Sequence, residues 1–252
     1  MKHIQSAKNN HVKHWKSLHQ KKHREDSKSY LIEGAHLVEE AATYNVPFEA
    51  ILVQDDQEIP SFLQNVNTEV YLVSKDVMKA VSDTKTPQGI AAVCKMNSDE
   101  VGVKLDGTKL LLVDGVQDPG NLGTLIRTAD AVGLDGVIAG EGCADLYNSK
   151  VIRSTQGSLF HLPVIKGNLS EWVDRLREAD VPVFGSALDN AVPYAEIEAP
   201  ESFALIVGNE GSGVQPALLE QTTQNLYVPI HGHAESLNVA IACGVLLYHL
   251  RG

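Results

Sequence analysis

Cysteine is scarce in this chain, with only Cys94, Cys143 and Cys243 among 252 residues, all far apart. An odd, sparse set of this kind argues against a disulfide framework or a zinc site. The three read as buried or inert thiols of a reducing, cytoplasmic protein. Long apolar runs are missing too. No stretch approaches the ~18 residues that a membrane helix needs, so no membrane association is expected. The opening MKHIQSAKNNHVKHWK has no apolar stretch behind its basic residues, which argues against a secretory signal. Internal repeats and low-complexity tracts are also lacking.

Basic residues are outnumbered, with 21 Lys and Arg against 32 Asp and Glu, for a net charge of −11. That balance taken alone argues against a nucleic-acid partner, because affinity for a phosphate backbone rests on cations. Their distribution argues the other way. Residues 1–28 hold eight Lys or Arg (Lys2 through Lys28) against Glu25 and Asp26, a local +6 that leaves −17 elsewhere. Five of the ten histidines lie there as well. The stretch reads either as a solvated helix or as a basic arm that contacts phosphates.

At 43% apolar and 21% charged, the chain is long enough for one large domain or two ordinary ones. Residues 30–94 read as a small α/β unit. A short strand in YLIEG turns at Gly34 into an amphipathic helix, and AILVQ, EVYLVS and GIAAVCKM have strand character. DTKTPQG is a loop, and NSDEVGVKLDGT is polar and acidic, as a linker is. Residues 109–252 alternate strand and helix. KLLLVD, DGVIAG, LPVIKG, VPVFGSA, FALIVG and LYVPI are continuous apolar runs bounded by Gly, Pro and Asp. Such runs mark strands buried on both faces of a parallel sheet. Helices are expected near 121–132, 145–159, 170–179 and 236–250.

Three segments stand out. In VDGVQDPGNLGTLIRTADAVG a strand runs through a Pro-Gly turn into a helix that Asn121 is placed to cap, with Arg127 less than two turns in. Taken singly, these are as readily a capping Asn and a solvent-facing Arg. In FALIVGNEGSGV a strand ends in a turn of Gly208, Gly211 and Gly213 around Asn209 and Glu210. It lacks the Lys-Ser/Thr ending of a P-loop and the order of a dinucleotide-binding fingerprint. In LYVPIHGHAESLNVAIACGVLLYHL a short polar loop leads to a helix that Ser236 would cap. Asn238 would lie in its first turn, and the apolar body of the helix implies burial. His231 and His233 look like a metal pair without further ligands, so no metal is expected.

Together, in this order, the segments resemble the motifs of the SpoU (TrmH-like) family of RNA 2′-O-ribose methyltransferases, within the SPOUT superfamily. NLGTLIR carries Asn121 and Arg127. GNEGSG carries Gly208 and Glu210. SLNVA carries Ser236, Leu237 and Asn238. The family's third motif usually reads closer to I-P-M-x-G, and here it is V-P-I-H-G. EGAHLVEEA and TPQGI also look like the small RNA-binding domain of rRNA-modifying members.

The resemblance implies an α/β fold: a C-terminal parallel-sheet domain with a trefoil knot at 109–252, a linker at 96–108, and an RNA-binding domain at 1–95. It implies S-adenosylmethionine as methyl donor, held near Gly208, Gly211, Val228, Ile230, Ser236 and Leu237. Arg127, Asn121, Glu210 and Asn238 would be the catalytic residues, with Glu210 orienting Arg127. A homodimer is implied, and the N-terminal part favours rRNA over tRNA as substrate. The rival readings are a non-catalytic RNA-binding paralogue and a nucleotide-binding enzyme with an open, unknotted sheet.

Overall fold

The computed structural model describes residues 2–96 and 104–252. The middle of the expected linker therefore lies outside the described residues. The chain forms two compact units. One comprises Met1–Ser98 with Tyr147–Phe160, and the other Asp99–Leu146 with His161–Gly252.

The first unit begins with β1 (Lys2–Ile4), α1 (Asn10–Ser17), α2 (Lys21–Ser27), β2 (Ser29–Glu33) and α3 (Ala35–Thr43). It continues with β3 (Phe48–Gln54), β4 (Val70–Val73), α4 (Lys75–Val81) and β5 (Ile90–Lys95). The five strands form a mixed sheet in the order β1-β4-β3-β5-β2. Gly34 makes the strand-to-helix turn with φ 102°, a conformation open to glycine and strained for other residues. Strand residues on one pleat side (Leu52, Val73, Val93) share a core with Val12 and Trp15 of α1 and Val77 of α4. Alternation along the strands turns Ile51, Val53 and Ala92 the other way, and α3 packs there with Leu37, Val38 and Ala41 buried.

The basic stretch 1–28 is thus no free arm. Its β1 pairs in parallel with β4, Asn9 caps α1, and Trp15 is 2% exposed. Arg24 is buried and donates to the Leu18 carbonyl at 2.7 Å. The lysines nonetheless stay at the surface, so burial is divided between the faces of each helix.

The second unit opens with β6 (Lys109–Val113), α5 (Pro119–Val132) and β7 (Gly136–Ala139). After α6 (Ser149–Thr155), which belongs to the first unit, come β8 (Val164–Lys166), α7 (Leu169–Glu178), β9 (Val183–Ser186) and β10 (Ala191–Pro193). The chain ends with β11 (Phe203–Val207), α8 (Pro216–Leu219), β12 (Gln224–Tyr227) and α9 (Val239–Arg251). Seven strands in the order β10-β12-β9-β11-β6-β7-β8 make a sheet whose pairings are all parallel. Five of the six apolar runs supply strands where expected; the sixth, LYVPI, contributes only Leu226 and Tyr227 to β12, which starts at Gln224 and ends before Val228, and β10 is an addition at the edge.

Leu110, Leu112, Ala204 and Ile206 point into the core that holds Trp172 and Leu176 of α7. Their alternates face the other side, where α9 packs on β11 and α5.

Four expectations need correction. The helix expected at 145–159 is only Ser149–Thr155, because Asn148 caps it and Gln156 ends it in a left-handed conformation. Asn121 does not cap α5. Asp118 does, accepting from the Asn121 N–H, with Pro119 at the first helical position. Ser236 does not cap α9 either, since Asn238 is the capping residue and accepts from the Ala240 N–H. Nor is α9 buried all round. Ile241 is 58% and Tyr248 61% exposed, while Cys243, Leu246, Leu247 and Leu250 are buried.

Candidate active site

Two adjacent strand ends build the site. β6 and β11 are hydrogen-bonded neighbours, with Val113 opposite Val207, so the loops after them leave the sheet side by side. The loops are tied by side chains that have no common sequence signature. Buried Asp114 accepts from the Gln215 N–H and from Gln215 Nε2, both at 2.7 Å. Asn209 Nδ2 donates to the Gly115 carbonyl at 2.8 Å, and Asn209 Oδ1 accepts from the Gly211 and Ser212 N–H groups. Asn209 and Gly213 also pair as an antiparallel bridge that closes the glycine turn.

Gly208 is required at the base of this turn. A Cβ there would lie 2.1 Å from the Gly213 carbonyl carbon and from the Val214 nitrogen. Backbone is packed on backbone, and only glycine fits.

The turn presents Glu210 to α5. One carboxylate oxygen accepts from the Gln117 N–H at 3.2 Å. The other accepts from the Asp118 N–H at 3.1 Å and from Asn121 Nδ2 at 3.0 Å. Burial pushes the Glu210 carboxyl up, but the hydrogen bonds from Asn121 and the backbone outweigh it and hold the group below the usual carboxylate range. Asn121 Oδ1 in turn accepts from Asn238 Nδ2 at 3.0 Å. Glu210, Asn121 and Asn238, from three separate motifs, therefore form one hydrogen-bonded chain.

The structure does not bring Arg127 to Glu210, whose oxygens are taken by the start of α5. Arg127 is exposed, and its side chain has no hydrogen-bond or ion-pair partner among the described residues. Of the residues expected to hold a cofactor, Gly208 is buried and Gly211 is exposed. Val228 is half-buried, and Ile230, Ser236 and Leu237 are exposed. Among the described residues, no backbone–backbone hydrogen bond involves residues 229–237. Among the described residues there is also no group of three or more His, Cys, Asp or Glu side chains that could hold a metal.

Asp114, Asn209 and Gln215 are the functional neighbours that sequence reasoning missed. The available signal was a buried-strand Asp at the end of β6, an ionisable group that needs partners when buried. A cavity of about 200 Å³ lies in the first unit, lined by Arg24, Glu33, Asp83, Tyr147 and Arg153 among others. It contains none of Asn121, Glu210, Asn238 or their neighbours Asp114, Asn209 and Gln215, so shape does not mark the site. The convergence of polar groups at the strand ends does.

Comparison with known proteins matches residues 109–248 to the SpoU rRNA Methylase family and residues 9–92 to the MRM3-like substrate binding domain. A Bacillus subtilis protein, the 23S rRNA (guanosine(2553)-2′-O)-methyltransferase RlmP, is 56% identical over 252 residues, covering 100% of both chains. Among solved structures, an AdoMet-bound rRNA methyltransferase from Sinorhizobium meliloti superposes with a TM-score of 0.89 at 30% identity. That match covers 99% of this chain and 97% of the other. The SpoU methyltransferase AviRb from Streptomyces viridochromogenes, in complex with AdoMet, gives 0.87 at 26% identity, covering 97% of each chain.

Proposed function

The chain belongs to the SpoU rRNA methylase family and is an RNA ribose-2′-O-methyltransferase that uses S-adenosylmethionine; we propose that its target is the 23S rRNA guanosine equivalent to position 2553. The observation that carries the site reading is the Glu210–Asn121–Asn238 chain, which joins the three motifs at the ends of β6 and β11. The full-length likeness to RlmP supports the choice of nucleotide.

The residues present suit the cofactor. Residues 229–237 offer backbone N–H and C=O groups with no backbone partner among the described residues. Ile230 and Leu237 flank them as exposed apolar side chains. Such a surface matches a ligand with a flat apolar base and several polar groups. We assign its binding to Gly208, Gly211, Val228, Ile230, Ser236 and Leu237. When bound, S-adenosylmethionine supplies a methyl group on a positively charged sulfur.

The protein's task is then to align the ribose 2′-hydroxyl and to favour loss of its proton. A guanidinium with a pKa above ~12 is a poor general base. Arg127 instead grips the phosphate next to the ribose, and its charge favours the alkoxide form of the hydroxyl. Asn121 and Asn238 hold the ribose or its neighbours, and Glu210 fixes Asn121 and the start of α5.

We also propose a homodimer. Ile241, Gly244, Val245 and Tyr248 follow the i, i+3, i+4, i+7 spacing of one helix face, and Ile241 and Tyr248 are largely exposed. Sedimentation should give twice the chain mass, and Ile241→Glu with Tyr248→Glu should give the single-chain mass. Among the described residues no helix is long and apolar enough to cross a membrane, and we place the enzyme in the cytoplasm with its RNA. Mapping 2′-O-methyl groups in 23S rRNA from cells lacking the gene tests the target. The equivalent guanosine should lose its methyl group, and an unchanged map would refute the assignment.

A further inference from the structure

The first unit carries a cluster of unpaired lysines on one pair of helices. α1 and α4 pack against each other and share the core that lines one face of its sheet. Their buried side chains (Val12, Trp15, Val77, Met78) leave the opposite flank of each helix to solvent. On that flank stand Lys13 and Lys16 of α1 and Lys75 and Lys79 of α4, all exposed, with Lys8 just before α1. None of these five ammonium groups has a hydrogen-bond or ion-pair partner among the described residues. Lys2 and Lys21, by contrast, are paired with Glu69 and Glu25. The only acid on the exposed side of these two helices is Asp76. On the other face of the sheet α3 carries Glu39 and Glu40 and no Lys or Arg, and the basic residues of α6 in this unit, Lys150 and Arg153, both have partners, Arg153 with Asp83.

Residues more than fifty positions apart thus gather five unpaired cations on one face of a chain whose net charge is −11. An unneutralised cluster of this kind repels itself and is stabilised by a polyanion. Lys13 and Lys16, three apart on a helix, have Cβ atoms about 5–6 Å from each other.

We infer that the α1–α4 face is a docking surface for the phosphate backbone of the RNA substrate, with Lys8, Lys13, Lys16, Lys75 and Lys79 as its contacts. The inference rests on the reading of the chain as an RNA methyltransferase. It adds a surface in the first unit that reads no bases: the lysines set affinity, and the target nucleotide is chosen elsewhere.

The test is the salt dependence of binding to a 23S rRNA transcript. Wild type is compared with the variant Lys8→Gln, Lys13→Gln, Lys16→Gln, Lys75→Gln, Lys79→Gln. Each phosphate contact contributes about 0.7 to the slope of log affinity against log salt on single strands and about 0.9 on duplex. Loss of all five should make the slope shallower by about 3.5–4.5. The matching Lys→Arg variant should keep the wild-type slope, as should Glu39→Gln on α3. A change in slope of less than about one unit in the Gln variant, with its thermal midpoint unmoved, overturns the inference. A wild-type protein that neither binds nor methylates the transcript would instead overturn the functional reading on which it rests.

Discussion

Replacing Asn121 by Asp keeps the size and shape of the residue at the centre of the site and reverses one interaction. The Nδ2 donor that reaches Glu210 at 3.0 Å becomes a carboxylate oxygen. The bond from Asn238 to Oδ1 survives. Two like charges about 3 Å apart repel by about 1.4 kcal/mol at the dielectric of water, and the lost hydrogen bond adds about 1 kcal/mol. The variant should therefore lose about 2 kcal/mol. For a protein of this size that is a fall in Tm of about 4–8 °C at pH 7.

The pH dependence gives the signature. In the wild type the Glu210 carboxyl is held below its ordinary value. Its contribution is present above the ordinary carboxylate pKa and is lost as pH falls through the depressed one. In the Asp variant one of the two carboxylates takes up a proton at a higher pH, which relieves the repulsion. The gap in Tm between the proteins should narrow as pH is lowered from 7 towards 4, in calorimetric scans at constant ionic strength. Methyl transfer at pH 7 should drop by about a hundredfold if the ribose contact is displaced by about 1 Å. Equal Tm values at pH 7, or a gap that widens on acidification, would mean that Asn121 does not hold Glu210 as described.

Arg127→Ala should abolish methyl transfer while calorimetry finds S-adenosylmethionine affinity within a few-fold of wild type; lost cofactor binding would move Arg127 into the cofactor site. Gly208→Ala forces a Cβ to 2.1 Å from Gly213 backbone and should cost about 1–3 kcal/mol or more, with cofactor binding lost in the same titration. Trp15→Ala should destabilise the first unit by about 3–5 kcal/mol. Deletion of residues 1–28 should for that reason unfold the unit, visible as lost cooperativity in denaturant titration, where removal of a free arm would leave the transition unchanged.

The parallel sheet was legible because strands buried on both faces are continuous apolar runs, and those around Leu111 and Leu205 could hardly be read otherwise. β10 was not legible: Ala191–Pro193 is a three-residue edge strand of intermediate burial. Helix starts were misplaced where two capping residues compete, as at Asp118 and Asn121 or Ser236 and Asn238. The choice depends on which side chain meets a free N–H, and a sequence does not show that. The Glu210–Asn121–Asn238 cluster was foreshadowed by motif spacing, but its wiring was not. Glu210 serves α5 instead of Arg127. The ties from Asp114 to Gln215 and from Asn209 to Gly115 span 101 and 94 residues, beyond any local pattern. The folded state of residues 1–28 was signalled by Val12, Trp15 and Leu18 at helical spacing, a stripe that the dense basic charge obscured. The apolar body of α9 predicts burial, yet composition does not show which of its faces the core covers.

Incubating the purified protein with an unmodified 23S rRNA transcript and S-adenosylmethionine carrying a labelled methyl group, then locating the label, shows which atom the enzyme methylates. One methyl group is expected on the ribose 2′-oxygen of the guanosine equivalent to 2553, absent with Arg127→Ala. Label on a base, on tRNA alone, or retained in full by Arg127→Ala would contradict it.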